Sequence, residues 1–290
     1  MNFDALNELY FAYDDPVPYL LKSGATLNIY PVSLRDSLIF LTSCDLLNID
    51  KNSSSDVSVI QMTYLRYLSE RVLQNADEQE IKASKQKLVN ICMLCFKMEL
   101  PYMGKNERGK VVLCDAKNPD IIITEKEFED IRRIVMYQNI LDYDDEYINP
   151  DLKRAIDETN ALKAAKYAPI STDRKMGIVM AHCGYTKQQL KEMTYRSFNI
   201  LFNEVVGEVE FETTRAISLY AGQADKIEHW IFKKQKDKYD DYIMSLEDYN
   251  KSMGGDGKVG DGRIRATKNM PLGQDGAALD AMYNMNSNSK

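Results

Sequence analysis

The sequence predicts a mainly α fold: a helical bundle with one or two small β-hairpins and a flexible C-terminal tail. Apolar residues recur at three- and four-residue spacing along most of the chain, which is typical of amphipathic helices. Several of these stretches follow a Ser or Thr with Asp, Glu or Gln three residues later, a pattern that starts helices. From about residue 250 the chain is rich in Gly, Asn and Ser, so it lacks the apolar surface needed to offset ordering.

We predict an N-terminal helical region over residues 1–124, with small hairpins. Helical spacing and capping signals place its helices at residues 2–13, 34–47, 57–74 and 78–99. Two pairs of β-prone runs predict hairpins. One pair flanks Ser23-Gly24, and the other flanks the turn sequence DAKNPD within residues 110–124. The stretch MGKNERGK is interpreted as a loop.

A C-terminal helical region is predicted over residues 125–249, followed by the flexible tail at 250–290. The pair Thr124 and Glu127 forms a capping box for a helix over 125–140. Further helices are predicted at 151–167, from Ser171 to Gly184, after a second capping box formed by Thr186 and Gln189, and over 194–220 with a break near Val206-Gly207.

The composition narrows the functional classes. The net charge of −7 and pI near 5.1 give no general attraction to nucleic acid or to an anionic membrane. No apolar run approaches the ~20 residues that span a bilayer, and MNFDALNELY does not have the pattern of a secretory signal. The five cysteines are scattered along the chain, which is typical of reduced thiols in the cytoplasm.

The pair Cys92 and Cys95 is the best candidate for a metal site, and we expect it to hold none. A zinc site needs two more ligands at paired spacing, and the other cysteines and both histidines stand alone in the sequence. The pair lies in an apolar helical run, so we interpret both residues as small core side chains. No cofactor is implied.

The sequence lacks residues that a calcium loop, a phosphate-binding loop or a catalytic nucleophile would require. The acidic run that begins at Asp142 has Tyr147 and Lys153 where a calcium loop needs Gly and Glu. The stretch GGDGKVG has Val259 where a phosphate-binding loop needs Ser or Thr. Neither His182 nor His229 belongs to a recognisable nucleophile pattern. We therefore expect a protein that is not an enzyme.

Residues 171–200 follow the outline of a helix-turn-helix, with Gly184 at the turn. Five basic residues against two acidic ones give this segment a charge of +3. A DNA-binding regulator that uses residues 171–200 is therefore an alternative function. Helix pairs joined by a glycine turn are also common in proteins that bind no DNA.

The stretch KIEHWIFKKQ holds the only tryptophan of the chain. Ile227, Trp230 and Ile231 fall at positions i, i+3 and i+4, so one helical face would carry all three. Such a stripe is either the edge of the core or a partner-binding surface, and tryptophan is enriched at binding hot spots. We select Ile227, Trp230 and Ile231 as the candidate partner-binding residues.

Three stretches, taken in order, carry a family resemblance: PYLLKSGATLNIYPVSLRDSL, FEDIRRIVMYQNILDYDDEYINPDLKRAIDE, and GYTKQQLKEMTYRSFNIL followed by Phe211–Gly222 and IEHWIF. Over about residues 17–235 the chain resembles tail-assembly proteins of phages that infect Gram-positive bacteria, and is similar to their tail assembly chaperones. The resemblance lies in the order and character of the segments.

The resemblance implies a non-enzymatic chaperone in the host bacterial cytoplasm that binds the tape-measure protein, the tail tube protein, or both. It implies contacts between apolar helix faces, with self-association as a further option, and no membrane or nucleic-acid partner. In such chaperones a loose extension recruits tube subunits, which offers a weak analogy for residues 250–290. A structural tail or baseplate protein of the virion is an alternative.

Overall fold

A computed structural model describes residues 1–51, 56–74, 77–145, 150–165 and 170–222, together with Ile227 and Ile231. This part of the chain is mainly α-helical, with two small antiparallel sheets, as the sequence predicts. The predicted tail at 250–290 lies outside the described residues. No helix in the described part is long and apolar enough to cross a membrane.

The α-helices are α1 Phe3–Leu9, α2 Ser37–Cys44, α3 Val57–Gln61, α4 Tyr64–Tyr67, α5 Glu78–Phe96, α6 Glu125–Asn139, α7 Pro150–Ala165, α8 Thr172–Cys183, α9 Lys187–Glu192 and α10 Tyr195–Tyr220. Short 3-10 helices span Phe11–Tyr13, Leu34–Asp36 and Asp45–Leu47, and a π-helical turn spans Leu68–Val72. The strands are β1 Val17–Leu20, β2 Thr26–Ile29, β3 Pro101–Lys105, β4 Val111–Asp115 and β5 Ile122–Thr124.

Both predicted hairpins are present. Strand β1 pairs with β2 in an antiparallel register that places Val17 opposite Ile29. The turn between them uses Gly24 at φ 89°, a conformation that glycine adopts without a steric penalty. Strands β4 and β5 form the second hairpin.

The second sheet has a third strand, β3. Its last three residues, Met103–Lys105, belong to the stretch MGKNERGK, so our interpretation of that whole stretch as a loop is wrong. Strand β3 pairs antiparallel with β4 and forms an edge of the sheet order β3-β4-β5. The sequence does not predict β3, because it contains Pro101 and Gly104, and both residue types are uncommon inside strands. Proline is tolerated at the first position of an edge strand, which is where Pro101 lies.

Three of the predicted N-terminal helices are divided. Residues 2–13 form α1 and a separate 3-10 helix at Phe11–Tyr13. Residues 34–47 form a 3-10 turn, α2 and a second 3-10 turn. Residues 57–74 break at Thr63, which is extended with ψ 153°. The backbone amide of Tyr64 donates to the carboxylate of Glu129 at 2.6 Å, so a contact from α6 caps α4 and replaces the helical bond.

Helix α10 is continuous, so the predicted break near Val206-Gly207 is wrong. A glycine inside a helix costs only about 1 kcal/mol relative to alanine. The N-terminus of α10 is well anchored, because Thr194 Oγ1 donates to the Asp14 carboxylate at 2.6 Å and Ser197 Oγ donates to it at 2.9 Å. A negative charge at this end also complements the helix dipole.

The main core combines elements from both sides of the boundary that we predict at residue 124. Its fully buried side chains include Phe40, Leu65, Leu113, Phe128 and Ile131. A smaller apolar cluster joins Leu34 to residues of α8, α9 and α10; its other buried members are Met176, Val179, Leu190, Phe198 and Phe202. Burial of apolar surface in these two clusters is the main stabilising contribution.

Helix α6 connects the core to the segments around it. It starts at the capping box of Thr124 and Glu127, as predicted. Glu127 also accepts the backbone amide of Lys22 at 2.6 Å, and Asn139 accepts that of Val32 at 2.7 Å. These bonds satisfy amides that the local secondary structure leaves without a partner.

The chain divides into two units, Met1–Trp230 and Ile231–Lys290. All the elements above belong to the first unit. In the second unit the described residue is Ile231, whose side chain is exposed.

Candidate functional site

The predicted partner-binding residues are described only in part. Ile227 is half-buried and Ile231 is 60% exposed. Trp230 lies outside the described residues. The shared helical face of Ile227, Trp230 and Ile231 therefore stays a prediction.

The thiols of Cys92 and Cys95 point into the main core, as predicted. Both residues have no exposed surface. Burial raises the pKa of Cys95 to about 12 and raises the pKa of Cys92 well above its ordinary value. Both thiols are therefore protonated at neutral pH, whereas a thiolate is the form that attacks or binds metal. Among the described residues, His, Cys, Asp and Glu form no group of three that could hold a metal ion.

The acidic run after α6 has a structural contact. The carboxylate of Asp145 binds the guanidinium of Arg133, with Nη2 to Oδ1 at 3.1 Å, and accepts the Tyr137 hydroxyl at 2.9 Å. Partial burial, the largest influence, acts to raise the pKa of Asp145. The hydrogen bonds from Arg133 and Tyr137 and the charge of Arg133 outweigh it, so the pKa lies below its ordinary value.

The helix pair of the proposed helix-turn-helix is present. Helix α8 has Ser171 as its N-cap and ends at Gly184, which is left-handed at φ 71°. Helix α9 is only six residues long and packs inward through Leu190.

Three of the five basic residues in 171–200 have partners within the protein. Lys175 Nζ lies 5.1 Å from the centre of the Phe202 ring. The guanidinium of Arg196 donates to the Tyr137 carbonyl at 3.0 Å and to Asn7 Oδ1 at 2.8 Å. The ammonium of Lys187 lies 3.8 Å from Asp173. These contacts reduce the positive charge that this segment could offer to a phosphate backbone.

Helix α2 exposes apolar side chains to solvent and buries two serines. Its residues Leu38, Ile39 and Leu41 are exposed, with Leu38 exposed to 73%, while Ser37 and Ser43 are buried with Phe40. We call Leu38, Ile39 and Leu41 the α2 apolar face. Three exposed large aliphatic side chains within four residues are typical of a surface that binds a protein partner.

The buried serines of α2 have hydrogen-bond partners. Ser37 Oγ donates to the Leu34 carbonyl at 2.8 Å and Ser43 Oγ donates to the Ile39 carbonyl at 2.7 Å, so the buried hydroxyls are satisfied. Helix α5 supports the same side, because Asn90 Nδ2 donates to Ser43 Oγ at 3.2 Å. The serines can therefore lie inward at little cost while the leucines lie outward.

A second apolar surface lies on α10. The last buried residue of this helix is Val205, and the described helix continues to Tyr220. We call residues 206–220 the α10 overhang. Phe211 is half-buried, and the other large apolar side chains are exposed, including Ile217 at 64% and Tyr220 at 96%.

Our sequence analysis missed both surfaces. In SLIFLTSC four of the first five residues are apolar, so periodicity cannot show which one faces the core. In α10 the apolar spacing is regular along the whole helix, which predicts a buried face and gives no sign of where burial ends.

Comparison with known proteins gives no relative. The chain matches no protein-family model, and neither a curated protein nor a solved structure shows significant similarity to it. The resemblance to phage tail assembly chaperones therefore stays a prediction from the sequence.

Proposed function

We propose that the protein is a non-enzymatic phage tail assembly chaperone that binds the tape-measure protein, the tail tube protein, or both. The observation that supports this proposal is the α2 apolar face. Leu38, Ile39 and Leu41 are exposed, while Phe40 is buried and Ser43 accepts a hydrogen bond from Asn90 of α5. A surface of this kind stabilises a complex by removing apolar area from water when a partner helix covers it.

The arrangement of the helices and the cellular location of the protein are also part of this proposal. We propose that the helices form a bundle around α6, which is supported by the contacts of α6 with α1, α4 and α10. We also propose that the protein acts in the host bacterial cytoplasm, where the tail is assembled. The scattered cysteines support this location.

The proposal is tested by affinity purification of the tagged full-length chain from infected host cells. We expect the tape-measure or tube protein of the same phage to elute with it. We expect the chain to be absent from purified virions. Presence of the chain in virions at a fixed copy number would favour the structural tail or baseplate alternative instead.

A further inference from the structure

The α10 overhang is a regular continuation of a stripe that is buried in the first half of the helix. Phe198, Phe202 and Val205 form the buried part of this stripe. Val209, Ala216 and Tyr220 continue it at steps of four, seven and four residues, which keeps them on the same side of an α-helix. The side of the helix that packs on the body thus runs on as an exposed apolar line.

The length of the overhang suits a helical partner. Residues 206–220 are fifteen consecutive helical residues, none of which is buried. At 1.5 Å per residue they extend for about 22 Å. A largely exposed helix of this length gains little stability from burial, so a partner that covers its apolar line would stabilise it.

The charges beside the apolar line are mostly negative. Glu208 and Glu212 lie along one edge, four residues apart, and Glu210 lies at the other edge. All three side chains are exposed. With Arg215, the net charge of the overhang is three negative against one positive, or −2.

These features select one class of occupant. In paired helices, charged residues beside the apolar seam determine which partner is accepted. A second copy of this chain would bring glutamates against glutamates in a parallel pair, whereas a helix with Lys or Arg beside its apolar residues would complement both edges. We propose that the α10 overhang binds an amphipathic helix of another protein that carries basic residues on both sides of its apolar stripe.

This inference rests on the proposed function, because it names the kind of helix that the chaperone would bind. It also predicts how the binding responds to conditions. The apolar line contributes affinity at all salt concentrations, while the flanking charges are solvent-exposed and are screened by salt. We therefore expect binding to weaken, without vanishing, as the ionic strength rises.

The test uses the full-length chain and two synthetic helical peptides of about three heptads. Both peptides carry Leu along the apolar seam; one has Lys and the other has Glu at the flanking positions. Binding is measured by fluorescence anisotropy of the labelled peptides. We expect the Lys peptide to bind at least about tenfold more tightly than the Glu peptide, which corresponds to about 1.4 kcal/mol.

A charge exchange gives the sharpest check. The double variant Glu208→Lys with Glu212→Lys should weaken binding of the Lys peptide and strengthen binding of the Glu peptide. Asn203→Lys with Thr214→Lys is the matched control, because it adds two positive charges at exposed positions on the opposite side of α10. Val209→Ser with Tyr220→Ser should remove binding of the Lys peptide, while circular dichroism confirms that the protein remains folded.

Three results would overturn the inference. The first is no binding of the Lys peptide by the folded protein. The second is a preference between the peptides that the charge exchange does not alter. The third is a dimer of this chain that the Val209→Ser and Tyr220→Ser changes dissociate, since the occupant would then be a second copy. If tail proteins co-purify with the chain but the peptide does not bind, the overhang inference fails and the proposed function stands.

Discussion

The side-chain oxygen of Asn139 accepts the backbone amide of Val32 at 2.7 Å inside the protein. The segment that contains Val32 also pairs with the residues before α10, because Tyr195 donates its amide to the Val32 carbonyl at 2.8 Å and Leu34 donates to Met193 at 2.8 Å. Asn139 therefore fixes the segment that leads into α2 and that receives the start of α10.

Replacement of Asn139 with alanine should destabilise the protein. The change leaves the buried amide of Val32 without an acceptor, which typically costs about 1–3 kcal/mol. The free energy of unfolding measured in urea should fall by this amount. Asn203→Ala, at an exposed position of α10, is the control and should change it by less than about 0.5 kcal/mol. An equal fall in the free energy of unfolding for both variants would show that the hydrogen bond from Val32 to Asn139 does not stabilise the protein.

The contact of Asp145 with Arg133 should make stability depend on pH in the acid range. The folded-state pKa of Asp145 lies below its ordinary value of 3.8, so its contribution is present above that value. The contribution is lost as the pH falls through the folded-state pKa, because the protonated carboxyl no longer pairs with the guanidinium.

Urea unfolding at a series of pH values, with wild type and Asp145→Asn, measures this effect. The difference in the free energy of unfolding should be constant near neutral pH and should shrink below the ordinary pKa of the carboxyl. Asp142→Asn, which changes an exposed residue of the same loop, is the control. A wild-type advantage over Asp145→Asn that persists unchanged to pH 2 would contradict the assignment.

Substitutions on the two sides of α2 should affect different properties: the buried side should affect stability and the exposed side should affect partner binding. Phe40 is fully buried, so Phe40→Ala should cost about 3–5 kcal/mol of unfolding free energy. Leu38 is largely exposed, so Leu38→Ser should change stability by less than about 0.5 kcal/mol and should weaken partner binding. Thermal unfolding and co-purification of partners measure the two quantities. A large loss of stability in Leu38→Ser would place Leu38 in the core.

Trp230→Ala tests the partner-binding residues that the sequence predicts. We expect partner affinity to fall by about 2 kcal/mol or more, because tryptophan is a frequent hot-spot residue, and we expect the melting temperature to remain the same. Isothermal titration of the folded variant and a thermal melt give both values. A drop in melting temperature with unchanged affinity per folded molecule would assign Trp230 to the core instead.

Local signals in the sequence predict much of the fold. The capping box at Thr124 and Glu127 marks the start of α6, and Ser171 and Gly184 mark the ends of α8. These signals work because each involves residues within one or two helical turns. The division of residues 57–74 depends on Glu129, which is more than sixty residues away, so no local pattern can predict it.

The candidate surfaces are also hard to predict, because they depend on contacts between residues that are distant in sequence. Whether Phe40 or Leu38 faces the core depends on contacts with other elements, such as the hydrogen bond that Asn90 of α5 donates to Ser43. Such contacts are decided by packing between elements that are distant in sequence. The apolar character of α2 can be seen in the sequence, but its direction cannot.

The central claim is that the α2 apolar face binds a phage tail protein. It is tested by co-purification of tail proteins from infected cells with three tagged forms of the chain: wild type, Leu38→Asp with Leu41→Asp, and the control Ala83→Asp at an exposed position of α5. We predict that the wild type and Ala83→Asp retain the tape-measure or tube protein equally. We predict that the double variant, folded to the same melting temperature, loses it. Equal recovery of tail proteins by all three forms, or recovery by none, would contradict this claim.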